Sequence, residues 1–125
     1  MFSRIDIVMH MLKHINTLVI LMLLLIMSNI GYAQKVFSCE YRSDADVKMF
    51  VVDYRSDADL IVYKCDYRSD AQGNEGLWYF CEYRSDADRK IFFVDYRSDA
   101  DLKIYFAEYR SDAGWQNTEK KHLMY

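Results

Sequence analysis

The sequence predicts a mainly β protein of six repeats, each about 13 residues of strand plus helical turn, behind an N-terminal helical signal peptide. Three observations carry that reading. The pentapeptide Tyr-Arg-Ser-Asp-Ala recurs at 41–45, 54–58, 67–71, 83–87, 96–100 and 109–113, in steps of 13, 13, 16, 13 and 13 residues. A short aromatic and β-branched run precedes each copy, and an unbroken apolar stretch lies near the start of the chain.

The apolar stretch comes first. Residues 18–27 are ten consecutive apolar side chains, with Lys13 and His14 just before them. The run ends in Ser28-Asn29-Ile30-Gly31-Tyr32-Ala33, where Gly31 and Ala33 stand at the −3 and −1 positions of a signal-peptidase site. Residues 1–33 therefore read as a signal peptide cleaved before Gln34. A retained anchor is the alternative, disfavoured by the short apolar core and the small-x-small ending. No Cys follows the run, which argues against a lipoprotein anchor, and Met11 would make a more typical signal start than Met1. The expected destination is the periplasm or the extracellular space, with no membrane attachment after cleavage.

Residues 34–125 then form one domain. They carry 14 basic and 18 acidic residues, a net of −4, with Lys and Arg distributed along all the repeats. That sign and spread exclude the basic footprint of a nucleic-acid binder.

Aligned on the Tyr, the repeats share a strand pattern. Four residues before it stands an aromatic: Phe37, Phe50, Tyr63, Tyr79, Phe92 and Tyr105. Five before it are Val36, Met49, Val62, Trp78, Ile91 and Ile104, and two before it Cys39, Val52, Cys65, Cys81, Val94 and Ala107. Such runs form strands, and two apolar faces predict cover on both sides. Lys35, Lys48, Lys90 and Lys103 at the run starts place the strand ends near water. Ser43-Asp44-Ala45-Asp46 and its equivalents match Ser-x-x-acid, so a helical turn capped by each Ser is expected. Arg and Asp would pair on the rim, and the motif Tyr would bond its hydroxyl at the core edge.

Topology follows from what the links lack. There is no Pro, and residues 34–125 contain only Gly73, Gly76 and Gly114, too few for two-residue hairpins. Links of about seven residues are too short for ordinary parallel crossovers. Consecutive strands therefore should not be neighbours. A second period of 42 residues divides the domain into 41–82 and 83–124, each ending in an irregular Gly- and Trp-bearing segment. The domain reads as two interlaced three-repeat circuits, with strand n beside strand n+3.

The reiterated acid-Tyr-Arg-Ser-Asp-Ala-Asp, the central Gly76-Leu-Trp-Tyr-Phe80 and the ending Gly114-Trp115 with Lys120-Lys-His-Leu-Met-Tyr125 resemble the bacterial Septknot family. The resemblance implies the seven-crossing knot for which that family is named. It implies no activity.

Chemistry-bearing residues are few. His122 is the single histidine of 34–125 and lies in the tail, where a surface or docking role outweighs a Ser-His-Asp arrangement. Cys39, Cys65 and Cys81 match no zinc spacing; they read as small buried residues, with a Cys39–Cys81 disulfide as the alternative in an exported protein. The Asp-Ala-Asp pairs lack the Gly and the converging carboxylates of a calcium loop. No catalytic residue, cofactor or metal is assigned. Trp78 and Trp115, with His122, mark the places where the repeat breaks, at 72–78 and 114–125, and where a binding surface would be built. The expected function is that of a non-catalytic exported structural or binding protein of unknown partner. The alternative is a small extracytoplasmic hydrolase-like enzyme with its site near the tail.

Overall fold

The computed structural model describes residues 4–29 and 34–125, with side chains for 4–24 and 34–125. The chain divides into two units, Met1–Gly31 and Tyr32–Tyr125. The first is helix α1 (Arg4–Asn29), whose Leu, Ile and Met residues favour helix on every face. All its described side chains are exposed, and by length and composition it could cross a membrane. This is the apolar helix expected near the start of the sequence, and it is compatible with a signal sequence; Gly31 and Ala33 of the cleavage motif lie outside the described residues.

The second unit is a closed barrel. Its strands are β1 (Lys35–Ser38), β2 (Val47–Val51), β3 (Leu60–Lys64), β4 (Leu77–Phe80), β5 (Arg89–Phe93) and β6 (Leu102–Phe106). They run parallel in the order β4-β1-β5-β2-β6-β3, and β3 returns to β4. Strand n lies beside strand n+3 in every case (β1 with β4, β2 with β5, β3 with β6). First-half and second-half strands thus alternate around the barrel. One consecutive pair, β3 and β4, does meet, against the expectation. Their link, 65–76, contains the insertion and reaches the length a parallel crossover needs.

Register is the same at every seam. Each strand pairs with the strand before it in the ring through its N-terminal half and with the strand after it through its C-terminal half. The path from Tyr79 to Lys35, Phe37 to Lys90, Phe92 to Lys48, Phe50 to Lys103, Tyr105 to Ile61 and Tyr63 to Leu77 climbs two residues per strand. Twelve residues of stagger over six strands tilt the strands steeply across the barrel axis. That stagger lets a strand begin at the level where its predecessor in sequence ended, so a short link suffices. Ile91 illustrates it, pairing with Ser38 at the end of β1 and with Val47 at the start of β2.

The period-2 alternation turns one face inward. All six residues five before the Tyr (Val36, Met49, Val62, Trp78, Ile91, Ile104) are fully buried, joined by Val47, Leu60, Leu102 and the tail's Met124. Each aliphatic side chain so buried stabilises the fold by about 2 kcal/mol. The outer face departs from the expectation of full cover: the six aromatics four before the Tyr are only half-buried. The links crossing the strands are too narrow to hide them.

Those links are six 3-10 turns, here called corners 1 to 6: Arg42–Asp44, Arg55–Asp57, Arg68–Asp70, Arg84–Asp86, Arg97–Asp99 and Arg110–Asp112. The turn begins two residues earlier than a Ser cap would set it. Extended Tyr occupies the cap position, no side chain caps the turn, and the Asp44 N–H donates to the Tyr41 carbonyl at 3.1 Å. All six copies repeat this bond. Corner 4 packs on β1, corner 5 on β2 and corner 6 on β3, each over the strand it must pass. After corner 6 come β7 (Gly114–Trp115), antiparallel to β3, and a 3-10 tail turn (Thr118–Met124).

Gly76 is the tightest backbone position. It has φ +84, and a Cβ there would run into the Ile61 carbonyl and the Leu60 side chain. Its own carbonyl accepts from the Tyr63 N–H at 2.8 Å. Gly76→Ala is expected to cost at least about 2 kcal/mol in urea unfolding, with both strain and clash contributing. Gly73→Ala meets open space and pays only for its φ of +71, so it should cost about 1 kcal/mol less.

Candidate functional site

The two segments that break the repeat converge on one polar node. Gln34, 5% exposed, holds it. Its backbone N–H donates to the Ala71 carbonyl at 2.6 Å and its carbonyl accepts from Tyr79 at 3.0 Å, extending the β1 ladder. Its side-chain amide donates to Asn74 Oδ1 at 2.9 Å and to the Met124 carbonyl at 2.7 Å, while its oxygen accepts from Trp78 Nε1 at 2.9 Å. Asn74 in turn donates to the Lys121 carbonyl, and its own carbonyl accepts from Trp115 Nε1 at 2.8 Å. The start of β1, the insertion and the tail are locked by one set of bonds.

A second node lies on Asp59, which is 6% exposed. Its N–H donates to the Lys103 carbonyl at 2.8 Å, and its Oδ2 accepts from the Lys103 N–H at 2.9 Å. Lys120 Nζ lies 3.2 Å from the same oxygen, and Asn117 donates to Oδ1 at 3.3 Å. The Asp59 carbonyl accepts from the Gln116 and Asn117 N–H groups. Burial alone would raise this carboxyl; the bonds from Lys103, Lys120 and Asn117 outweigh it and hold the pKa below the ordinary range.

Asp59 is one of four such clamps. Asp88 with Lys35, Asp101 with Lys48 and Asp46 with Lys90 make the same reciprocal pair of bonds, backbone to backbone at 2.7–2.8 Å and Lys N–H to carboxylate at 3.0 Å. The role assigned to these aspartates from sequence, partner of a Ser cap, gives way to a bond between strands. The available signal was numerical: four aspartates after corners 1, 2, 4 and 5, and four strand-leading lysines.

The predicted surface residues separate. Trp78 is fully buried, so it is a core filler rather than part of a surface; its indole N–H is spent on Gln34. Trp115 is half-buried at the edge of β3 and bonded to Asn74. His122 is exposed on the tail turn, its Nδ1 2.9 Å from the Glu119 carbonyl, and among the described residues no Ser or Asp side chain bonds to it. Cys39, Cys65 and Cys81 are all free, so the Cys39–Cys81 bridge is not formed. Burial pushes all three thiols up, which leaves them poor nucleophiles. Among the described residues no three His, Cys, Asp or Glu side chains converge as metal ligands, and no buried side-chain polar atom lacks a partner.

Around the barrel the corners join by ion pairs: Arg68–Asp86 at 3.8 Å, Arg84–Asp44 at 3.9 Å, Arg97–Asp57 at 3.4 Å, Arg55–Asp112 at 3.5 Å and Arg110–Asp70 at 3.6 Å. These link corners 3-4-1 and 5-2-6-3, following the strand order. Each pair is half-exposed and worth about 1 kcal/mol or less. The motif tyrosines, expected at the core edge, point away from it instead, 63–71% exposed.

The family model for the Septknot family, the 7(1) septoil knot domain, matches residues 33–116. The chain belongs to the Septknot family. No curated protein and no solved structure matches it. The Septknot match ends at Gln116, so the tail bonds to Gln34, Asn74 and Asp59 from 117–125 lie beyond it.

Because the Asp59 carboxyl is depressed in the folded state, its contribution is present above the ordinary carboxylate pKa and is lost as pH falls through the folded value. Asp59→Asn should lower the melting temperature at pH 7 by several degrees and flatten the acid side of its pH profile. The same change at Asp101, exposed and without a Lys ammonium partner, should do markedly less.

Proposed function

We propose that this Septknot protein is an exported, non-catalytic structural or binding protein whose backbone is knotted. The observation carrying the non-catalytic reading is that both repeat-breaking segments are consumed by closing the barrel. Trp78, Asn74, Gln34 and the tail bond to one another where an enzyme would hold a polar pocket.

Export is supported by the apolar helix α1 near the N-terminus and by the small residues Gly31 and Ala33. Gln34, the first residue after that cleavage site, bonds into the barrel through the Ala71 and Tyr79 backbones. Protein recovered outside the cytoplasm should begin at Gln34 on N-terminal sequencing. It should turn over none of a panel of ester, phosphate and glycoside substrates. Turnover abolished by His122→Ala would replace this reading with the hydrolase one.

The knot is supported by three facts together: two circuits alternate in one closed barrel, corners 4, 5 and 6 of the second circuit pack over β1, β2 and β3 of the first, and the matched domain is a septoil knot. Chain ends joined enzymatically in the native state should give, after denaturation, a ring that migrates faster than one closed from unfolded chain. Equal mobility would mean an unknotted path.

A further inference from the structure

The corners carry more than folding asks of them. The segments running from the acid before each Tyr to the fifth residue after it hold sixteen carboxylates against six guanidinium groups, a net of −10. The rest of 34–125 has eight Lys and Arg against two Glu, a net of +6. Charge that looks even along the chain is therefore segregated in the fold, because the corners form a ring of their own.

Nine of the sixteen carboxylates have structural partners. Asp44, Asp57, Asp70, Asp86 and Asp112 pair with arginines, and Asp46, Asp59, Asp88 and Asp101 clamp lysine N–H groups. The six acids that precede the tyrosines (Glu40, Asp53, Asp66, Glu82, Asp95, Glu108) are exposed and make no hydrogen bond or ion pair. Their neighbours Tyr41, Tyr54, Tyr67, Tyr83, Tyr96 and Tyr109 are equally open. Neither side chain of the pair is bonded within the barrel, yet the pair is presented six times around it.

Free carboxylates and open aromatic rings that alternate along the corners suit a chain of ammonium or guanidinium groups, the carboxylates through Coulomb attraction and the rings through their quadrupole. The motif arginines do not compete for that place, since five of the six already hold a neighbour's Asp. We propose that the six acid–tyrosine pairs form a docking ring for an extended Lys/Arg-rich polypeptide segment that reaches several corners at once. One pair binds weakly; the ring binds by multivalency. This deepens the binding reading above and rests on it.

The test uses protein recovered after export of the full chain, with fluorescence anisotropy of labelled deca-arginine and deca-glutamate at physiological salt. Deca-arginine should bind and deca-glutamate should not. Replacing all six corner tyrosines by Ser keeps every charge, so it should weaken deca-arginine by at least about tenfold while leaving the melting temperature within a degree or so. Triple variants at Tyr41, Tyr54 and Tyr67, or at Tyr83, Tyr96 and Tyr109, should fall between and guard against a misfolded six-fold variant. Unchanged affinity in the folded Ser variants would reduce the attraction to bare charge and overturn the proposal, as would no binding of deca-arginine. Either failure leaves the non-catalytic reading standing, because that falls only to turnover in the substrate panel.

Discussion

The two-residue climb from each strand to the next is the constraint on which the barrel depends. It places the end of one strand level with the start of the next in sequence, and so permits an eight-residue link, such as 39–46, where a flat sheet would demand a long crossover. It also sorts the side chains. The residue five before each Tyr falls inward at every strand, and the residue two before each Tyr donates its N–H to that inner residue of the following strand, as Cys39 does to Ile91 and Cys81 to Val36. A slip of one residue would turn Met49, Ile91 and Ile104 outward together. The Asp–Lys clamps guard against that slip, because each fixes one seam by two bonds of opposite direction.

Much of this was legible in the sequence. The exact repetition exposed the strand positions, the inner-facing set and the 42-residue period, and the shortness of the links forced strand n beside n+3. What local pattern could not show was where a polar side chain spends its bonds. Ser-x-x-acid fits a helix cap, but Asp59 gains more from the Lys103 N–H across the seam than from its own turn, and only the register reveals that Lys103 is there. The motif Tyr was misplaced for a related reason. An aromatic at a strand end usually packs, yet the inner face was already filled by the residues five before it, so the ring was left in water.

The node between Gln34, Asn74 and the tail was hidden more deeply, since its members are 40 and 90 residues apart and outside the repeat. The two tryptophans were visible as irregularities, and their chemistry suggested a surface. A barrel that closes on itself, however, needs something at the one seam where the repeat skips. Trp78 fills the inner ring there because its position is the one occupied by Val, Met or Ile in the other five repeats. Its buried N–H then requires an acceptor, and Gln34 supplies one.

The division of labour inside the motif follows from the same geometry. Arg and the first Asp lie on adjacent corners and pair around the ring, while the second Asp reaches the neighbouring strand. Closing the barrel thus uses the Arg and Asp side chains and leaves those of the acid–Tyr step without a bond. Six copies held at fixed intervals by a rigid barrel lose little further freedom when a partner engages them, whereas the same six on a flexible chain would each have to be ordered. The fold that leaves the acid and Tyr side chains without bonds in the barrel is also what lets them act together.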